Sequence, residues 1–189
     1  MSIGECSGRG LAPVILMSSL RAYLRVLASR SQDVSEIVSE VNSLITDDSG
    51  DEEFLVTLLL VQIDVATKTL QYCSAGLQAH LIDRNGRVTE LPSTGMPLGL
   101  RRETVIPPGE PQKLHTGDLL LLTTDGAQKV ASPSGELFGR QSVLDVVSQN
   151  RDLPPRMIVN FLKKACREFA GGTAPSDDIT VVIVKASGY

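Results

Sequence analysis

The feature that most constrains the fold is a series of strand-like apolar runs joined by tight turns. FLVTLLLVQID and TLQYC are separated by a short polar turn, and AHLID and RVTEL flank Asn85-Gly86, a strong short signal for a β-hairpin. LLLLTT and ITVVIVK add two more apolar strands later in the chain. Strands joined by tight turns pair side by side in opposite directions, so the pattern predicts antiparallel sheets.

Helical spacing of apolar residues appears in four other places. It predicts helices over 11–27 and over 34–45, the second capped by Asp33 with Glu36 three residues later. Two more are predicted near 141–149 and from about 155 to 169. The acidic run 47–53 breaks the periodicity and predicts a solvated loop. Helices segregated from hairpin-linked strands indicate an α+β fold.

Composition and charge exclude several classes of protein. The 189 residues fit a single domain, and 42% apolar residues supply a sizeable core. A net charge of -4 offers no basic field for nucleic acid. Cys6, Cys73 and Cys166 are far apart and unpatterned, so we expect free thiols in a reducing cytoplasm. No signal peptide or membrane-spanning run is apparent, so no membrane association is expected.

The opening segment GECSGRG is open to three interpretations. It could be a tight turn that cradles phosphate, a turn that presents Cys6 as a nucleophile, or one corner of a metal site. The first two belong between a strand and a helix of a parallel sheet, and only three residues precede Gly4. A Cys6 nucleophile would also need His80 or His115 as its base, and both lie inside or beside strand patterns.

Acidic residues at strand ends favour the metal interpretation. Asp125 follows LLLLTT and precedes Gly126, and Asp177 and Asp178 stand just before ITVVIVK. Each one alone is explained as a turn residue. Together with Glu5, and without histidine or cysteine beside them, they suggest an all-oxygen site for Mg²⁺ or Mn²⁺.

Eight segments carry a resemblance to a known family. GECSGRGLAPVILMSSLRAYLR is similar to the GDxSGxGxxAAxxMxxLRxxLR stretch of SpoIIE-like phosphatases, a bacterial branch of the PPM metal-dependent serine/threonine phosphatases. Further segments agree in order along nearly the whole chain: VNSL, LVTLLLVQID, LQYCSAG, GMPLG, TGDLLLLTTDG, GELFG and SDDITVVIV. The resemblance implies one domain over 1–189, an antiparallel β-sandwich flanked by helices that lacks the first strands of the family.

The resemblance also implies a mechanism and a set of ligands. In that family two metal ions activate a water that attacks phosphoserine or phosphothreonine, so no side chain is the nucleophile. Glu5 stands at the bridging aspartate, and the Cys6 carbonyl, Asp125 and Asp177 match the other positions that bind metal. By the same comparison, Gly126 and Asp178 are expected to position these ligands without binding the metal themselves.

Three positions and one upstream segment depart from the family pattern. Glu5 replaces aspartate, which moves the carboxylate by about 1.5 Å, one carbon–carbon bond. Leu77 replaces the histidine of an AGH motif, and Lys129 stands where an acidic residue is usual after the TDG aspartate. The family's upstream GGDxxD-type segment is not represented in the sequence, so we expect one ligand fewer.

Two functions remain open from the sequence. The first is a phosphatase acting on a phosphorylated regulatory protein, such as an anti-sigma antagonist of the STAS type. The second is a degenerate phosphatase fold that binds such a partner without hydrolysis. FLVTLLLVQID and ITVVIVK are also candidates for an undefended sheet edge, which would favour a homodimer.

Overall fold

A computed structural model describes residues 1–8, 10–50, 54–174 and 177–187, and it confirms the α+β class. In chain order the elements are β1 (Ser2–Cys6), α1 (Leu11–Leu27), α2 (Val34–Ser49), β2 (Val56–Asp64), β3 (Thr69–Ala75), β4 (Ala79–Ile82), β5 (Val88–Leu91), β6 (Gln112–Lys113), β7 (Leu119–Thr123), a 3₁₀ turn (Asp125–Ala127), α3 (Gly139–Gln149), α4 (Pro155–Ala170) and β8 (Val181–Lys185). No helix within these ranges is long and apolar enough to cross a membrane.

The chain divides into two compact units, each built on one antiparallel sheet. The first unit comprises Met1–Gln78 and Pro92–Lys113 and holds a sheet of order β1-β2-β3-β6. The second comprises Ala79–Leu91 and Leu114–Tyr189 and holds a sheet of order β5-β4-β7-β8. The predicted hairpins β2–β3 and β4–β5 are both present. The predicted antiparallel pairing is therefore confirmed in each unit.

The first helix pair follows the sequence pattern, with one correction. The Asp33 carboxylate caps α2 by accepting hydrogen bonds from the backbone N–H groups of Ser35 at 2.8 Å and Glu36 at 3.2 Å. The helix then continues to Ser49, so the predicted loop is wrong for its first residues. Within this last turn the Asp47 carboxylate pairs with Arg102 Nε at 2.8 Å. The rest of that acidic run, 51–53, lies outside the described residues.

The opening segment is a strand rather than a turn. Glu5 lies opposite Thr57 in the β1–β2 pair, and the turn begins only after Cys6. Gly4 is required there, because a Cβ at that position would stand 2.6 Å from the Thr57 carbonyl oxygen. The interpretation of GECSG as a tight turn was therefore wrong.

Only one of the two candidate edges is an edge. β2, which contains most of FLVTLLLVQID, pairs with β1 on one side and β3 on the other. β8, which contains most of ITVVIVK, is the last strand of its sheet. Helices α3 and α4 cover one face of that sheet, where Leu119, Leu121 and Ile183 pack among their apolar residues. This packing fixes the strands from which Asp125 and Asp177 extend.

Candidate metal site

The end of β7 is tied to the segment that leads into β8. Thr124 is fully buried, and its backbone N–H donates to the Thr180 carbonyl at 3.1 Å. The Thr180 N–H in turn donates to the Thr124 hydroxyl at 3.2 Å. Asp125 directly follows Thr124, and Asp177 lies three residues before Thr180. These two hydrogen bonds therefore hold the segments that carry both acids next to each other in the second unit.

Gly126 allows the two segments to touch. The carbonyl group of Asp178 lies where a methyl group on Gly126 would be, so no larger residue fits without a shift. Gly126 is buried, and it belongs to the 3₁₀ turn that begins at Asp125. The expected supporting role of Gly126 thus has a steric basis, although its link to metal binding is still a prediction.

The two carboxylates differ in their hydrogen bonding. Asp177 accepts a hydrogen bond on Oδ1 from the Asp178 backbone N–H at 2.9 Å, so the main chain of Asp178 orients it. Asp125 has its Oδ1 atom buried without a hydrogen-bond partner among the described residues. A buried carboxylate oxygen of this kind is a free ligand for a hard cation.

A lysine ammonium lies between the two carboxylates. Lys129 Nζ is 2.6 Å from Asp125 Oδ2 and 4.0 Å from Asp177 Oδ2. The 3₁₀ turn produces this contact, because the Lys129 backbone N–H donates to the Asp125 carbonyl at 3.0 Å and folds the lysine back over the aspartate. Sequence reasoning noted Lys129 only as a departure, although its i,i+4 spacing from Asp125 was a signal for the ion pair.

The donors at this point are carboxylate oxygens, the ligand type that Mg²⁺ and Mn²⁺ prefer. A positive group already occupies this point as a stand-in, and Asp125 presents an unused oxygen. Within the described ranges, no three or more histidine, cysteine or acidic side chains cluster closely enough to hold a metal ion. The described residues of the second unit therefore present two carboxylates and a lysine here, and not a complete ligand shell.

Glu5 and Cys6 lie at the end of β1 in the first unit. The Glu5 carbonyl accepts a 3.5 Å hydrogen bond from the Thr57 hydroxyl, and its side chain is half-buried. Partial burial raises the pKa of the Cys6 thiol, the opposite of what an activated nucleophile requires. Among the described residues, the thiol donates to the adjacent Ser7 carbonyl at 3.4 Å.

The remaining candidates for cysteine chemistry are equally unsuited to it. Burial raises the pKa of the Cys73 thiol to about 11, and all three cysteines are free thiols. Burial lowers the pKa of His80, and neither of its ring nitrogens has a hydrogen-bond partner in the described chain. His115 is exposed and lies 3.5 Å from the Asp118 carboxylate. These environments give no support to a cysteine–histidine pair.

Comparison with known proteins defines the class of this fold. The SiaA-PP2C domain of Pseudomonas aeruginosa superposes with a TM-score of 0.86 at 20% identity, over 97% of this chain and 74% of that one. The catalytic domain of the serine/threonine protein phosphatase PstP, in complex with two manganese ions, superposes with a TM-score of 0.69 at 16% identity, over 99% of this chain and 87% of that one. The architecture is that of PP2C-type phosphatase domains.

The sequence match is more specific than the fold. The family model described as stage II sporulation protein E (SpoIIE) matches residues 1–187, so the chain belongs to the SpoIIE family. Among curated proteins, Protein IcfG of Synechocystis sp. is 23% identical over 209 residues, which cover 96% of this chain. The chain spans 33% of the length of that relative.

Proposed function

We propose that this chain is a divalent-cation-dependent phosphatase that removes phosphate from phosphoserine or phosphothreonine in a regulatory protein. The observation that carries this proposal is the Asp125 carboxylate, with one buried oxygen unused and a cationic group on the other. Membership of the SpoIIE family supports it, as does the fold shared with a manganese-bound serine/threonine phosphatase.

The family resemblance supplies the proposed ligands. It implies that Asp125, Asp177, Glu5 and the Cys6 carbonyl would hold the cation. When bound, Mn²⁺ or Mg²⁺ lowers the pKa of water and offsets negative charge on phosphoryl oxygens. We expect weak binding with Mn²⁺ preferred, because Glu5 is one methylene too long and Mg²⁺ demands near-ideal octahedral geometry.

The residues of the chain supply rigidity to this chemistry. The paired hydrogen bonds of Thr124 and Thr180 hold the two acid-bearing segments together. The Asp178 N–H fixes the rotation of the Asp177 carboxylate. Ligands that are held before the substrate arrives do not have to be ordered at the moment of reaction, which is the main advantage of such a site.

The proposed substrate is a phosphorylated regulatory protein, with a STAS-type anti-sigma antagonist as the specific candidate. The resemblance to SpoIIE-like phosphatases carries this part of the proposal. A second candidate function, binding of such a partner without hydrolysis, is favoured by one observation: Lys129 occupies the space between Asp125 and Asp177 with its own positive charge.

The two functions separate in a single experiment. A STAS-type protein phosphorylated on serine is incubated with the chain and Mn²⁺, and both released phosphate and complex formation are measured. Hydrolysis that rises further in Glu5→Asp supports the phosphatase and shows that the longer side chain limits it. Stable complex formation with no phosphate release, in the wild type and in Glu5→Asp, would contradict the phosphatase and favour the binding module.

A further inference from the structure

We propose that Lys129 is a built-in competitor of the metal: its ammonium occupies the cation position between Asp125 and Asp177 and must leave before a divalent ion can bind there. This inference rests on the proposed function only in taking these two carboxylates as metal ligands. It adds a control element, because it makes metal loading depend on a side chain of the same turn.

The geometry of the contact is that of a strong ion pair. A nitrogen–oxygen distance of 2.6 Å to Asp125 places the ammonium in charge-assisted hydrogen-bond range. The second carboxylate, Asp177, is 4.0 Å from the same nitrogen. One positive group is thus shared by two negative ones, and a divalent ion attracted to that pair of charges would have to take the same place.

Tethering makes the competitor effective. Lys129 is held four residues from Asp125 by the 3₁₀ turn, so its ammonium is present at a high effective concentration whatever the solution contains. A free divalent ion competes with this intramolecular contact and also with its own hydration. Apparent affinity for the metal is therefore lower than the two carboxylates alone would give.

The competitor can also leave without unfolding the site. The Lys129 side chain is 51% exposed, and lysine has a flexible four-carbon stem that can swing its ammonium into water. The turn is held by backbone hydrogen bonds that do not involve this ammonium. Displacement therefore requires movement of the side chain and not of the turn, and a sufficiently high metal concentration should achieve it in the wild type.

Removing the charge of Lys129 tests the inference without any measurement of activity. Mn²⁺ binding is measured by calorimetry, and independently by the loss of the free-ion signal in electron paramagnetic resonance. We expect Lys129→Met to bind Mn²⁺ about tenfold tighter or more, because a unit charge within a few ångströms of the ion is removed. Lys129→Gln, which keeps a polar group and loses the charge, should show the same direction of change.

A matched control is available on α4. Lys164 pairs with Glu168 at 3.6 Å with the same i,i+4 spacing, so Lys164→Met removes an equal charge from a comparable ion pair. We expect no change in Mn²⁺ affinity there. Adding Asp125→Asn to Lys129→Met should abolish the increase in Mn²⁺ affinity. That loss would show that the ion binds at the Asp125 carboxylate.

The outcomes separate the inference from the proposed function. Unchanged or weaker Mn²⁺ binding in both Lys129 variants, with native circular dichroism, overturns the inference even if the wild type hydrolyses phosphoserine. Tighter binding in both variants supports the inference even if no variant hydrolyses a substrate, a result that would count against the phosphatase alone. An absence of Mn²⁺ binding in every variant contradicts the inference.

Discussion

The carbonyl of Asp178 lies against the α-carbon of Gly126, where a methyl group would overlap it. This contact joins the turn that begins at Asp125 to the segment that carries Asp177. We predict that Gly126→Ala forces these segments apart, lowers the free energy of unfolding by about 1–3 kcal/mol through overpacking, and weakens Mn²⁺ binding. Urea denaturation and calorimetry measure the two effects.

Gly135→Ala is the control for this change. Gly135 has open space around it but a φ of +86°, so alanine there is strained without any steric contact. We expect some loss of stability in this variant and full retention of Mn²⁺ binding. Equal Mn²⁺ affinity in Gly126→Ala and the wild type would show that the contact does not position the carboxylates.

The Cys6 thiol is expected to be dispensable. Burial raises its pKa, so little thiolate is present at neutral pH, and only its main-chain carbonyl is a proposed ligand. Cys6→Ser should keep kcat/KM for a phosphoserine peptide within about twofold of the wild type. A large loss of activity in a folded Cys6→Ser protein would instead restore the sulfur as nucleophile.

His80 should make the protein sensitive to acid. Burial in β4 lowers its pKa below the usual value of 6.5, with Glu90 opposing and Arg140 reinforcing that shift. As the pH falls below about 6.5, His80 of the unfolded chain takes up a proton that the folded chain does not. The free energy of unfolding therefore keeps the full contribution of His80 above that pH and decreases below it. The contribution is at most about 1.4 kcal/mol per pH unit for one proton.

Substitution isolates this contribution. Chemical denaturation at pH 7 and pH 5 should show a smaller loss of stability in His80→Leu than in the wild type. The same pH dependence in His80→Leu and the wild type would assign the acid sensitivity to other groups.

The outer edge of β8 is expected to mediate self-association. Backbone hydrogen bonds join Thr180 to Thr124 and Ala186 to Asp118, so the even-numbered residues of this segment direct their backbone groups toward β7. By that alternation, Val181 and the odd-numbered residues after it direct their N–H and C=O groups away from β7. No described strand pairs with this edge, so a second copy pairing in antiparallel fashion would satisfy it.

Light scattering at micromolar concentration checks the dimer. Val181→Pro removes an outward N–H at the first residue of an edge strand, where proline is tolerated, and should give a folded monomer. Val182→Pro removes an N–H that faces Leu122 and should destabilise the sheet itself. A strictly monomeric wild type would contradict the prediction.

Local chemistry explains which parts of the fold were predictable. The hairpin at Asn85-Gly86 and the Asp33 cap depend on neighbouring residues, and both are present. β1 was missed because its five residues contain Gly4 and gain their strand character from a partner fifty or more positions away, Val56–Leu60. The end of α2 was misplaced because the acidic run was taken as a break, whereas Asp47 lies in the helix and pairs with Arg102, a contact that the local sequence does not show.

The candidate site also has one part that was predictable from the sequence and one part that was not. The acids Asp125 and Asp177 were identified from strand ends and glycine turns, and the structure brings them to one lysine. The role of Lys129 was not predicted, because a departure from a family pattern does not say where the new side chain will point. The contributions of Glu5 and the Cys6 carbonyl to metal binding are still predictions.

Phosphate release from a phosphoserine peptide, followed with and without Mn²⁺, is the most direct test of the central claim. The comparison is between the wild type and Asp125→Asn, which keeps the shape of the side chain and removes the charged ligand. We predict Mn²⁺-dependent release by the wild type, abolished by EDTA, and a loss of at least about 100-fold in Asp125→Asn. Equal rates in the two proteins, or release that persists in EDTA, would contradict a cation-dependent phosphatase centred on this carboxylate.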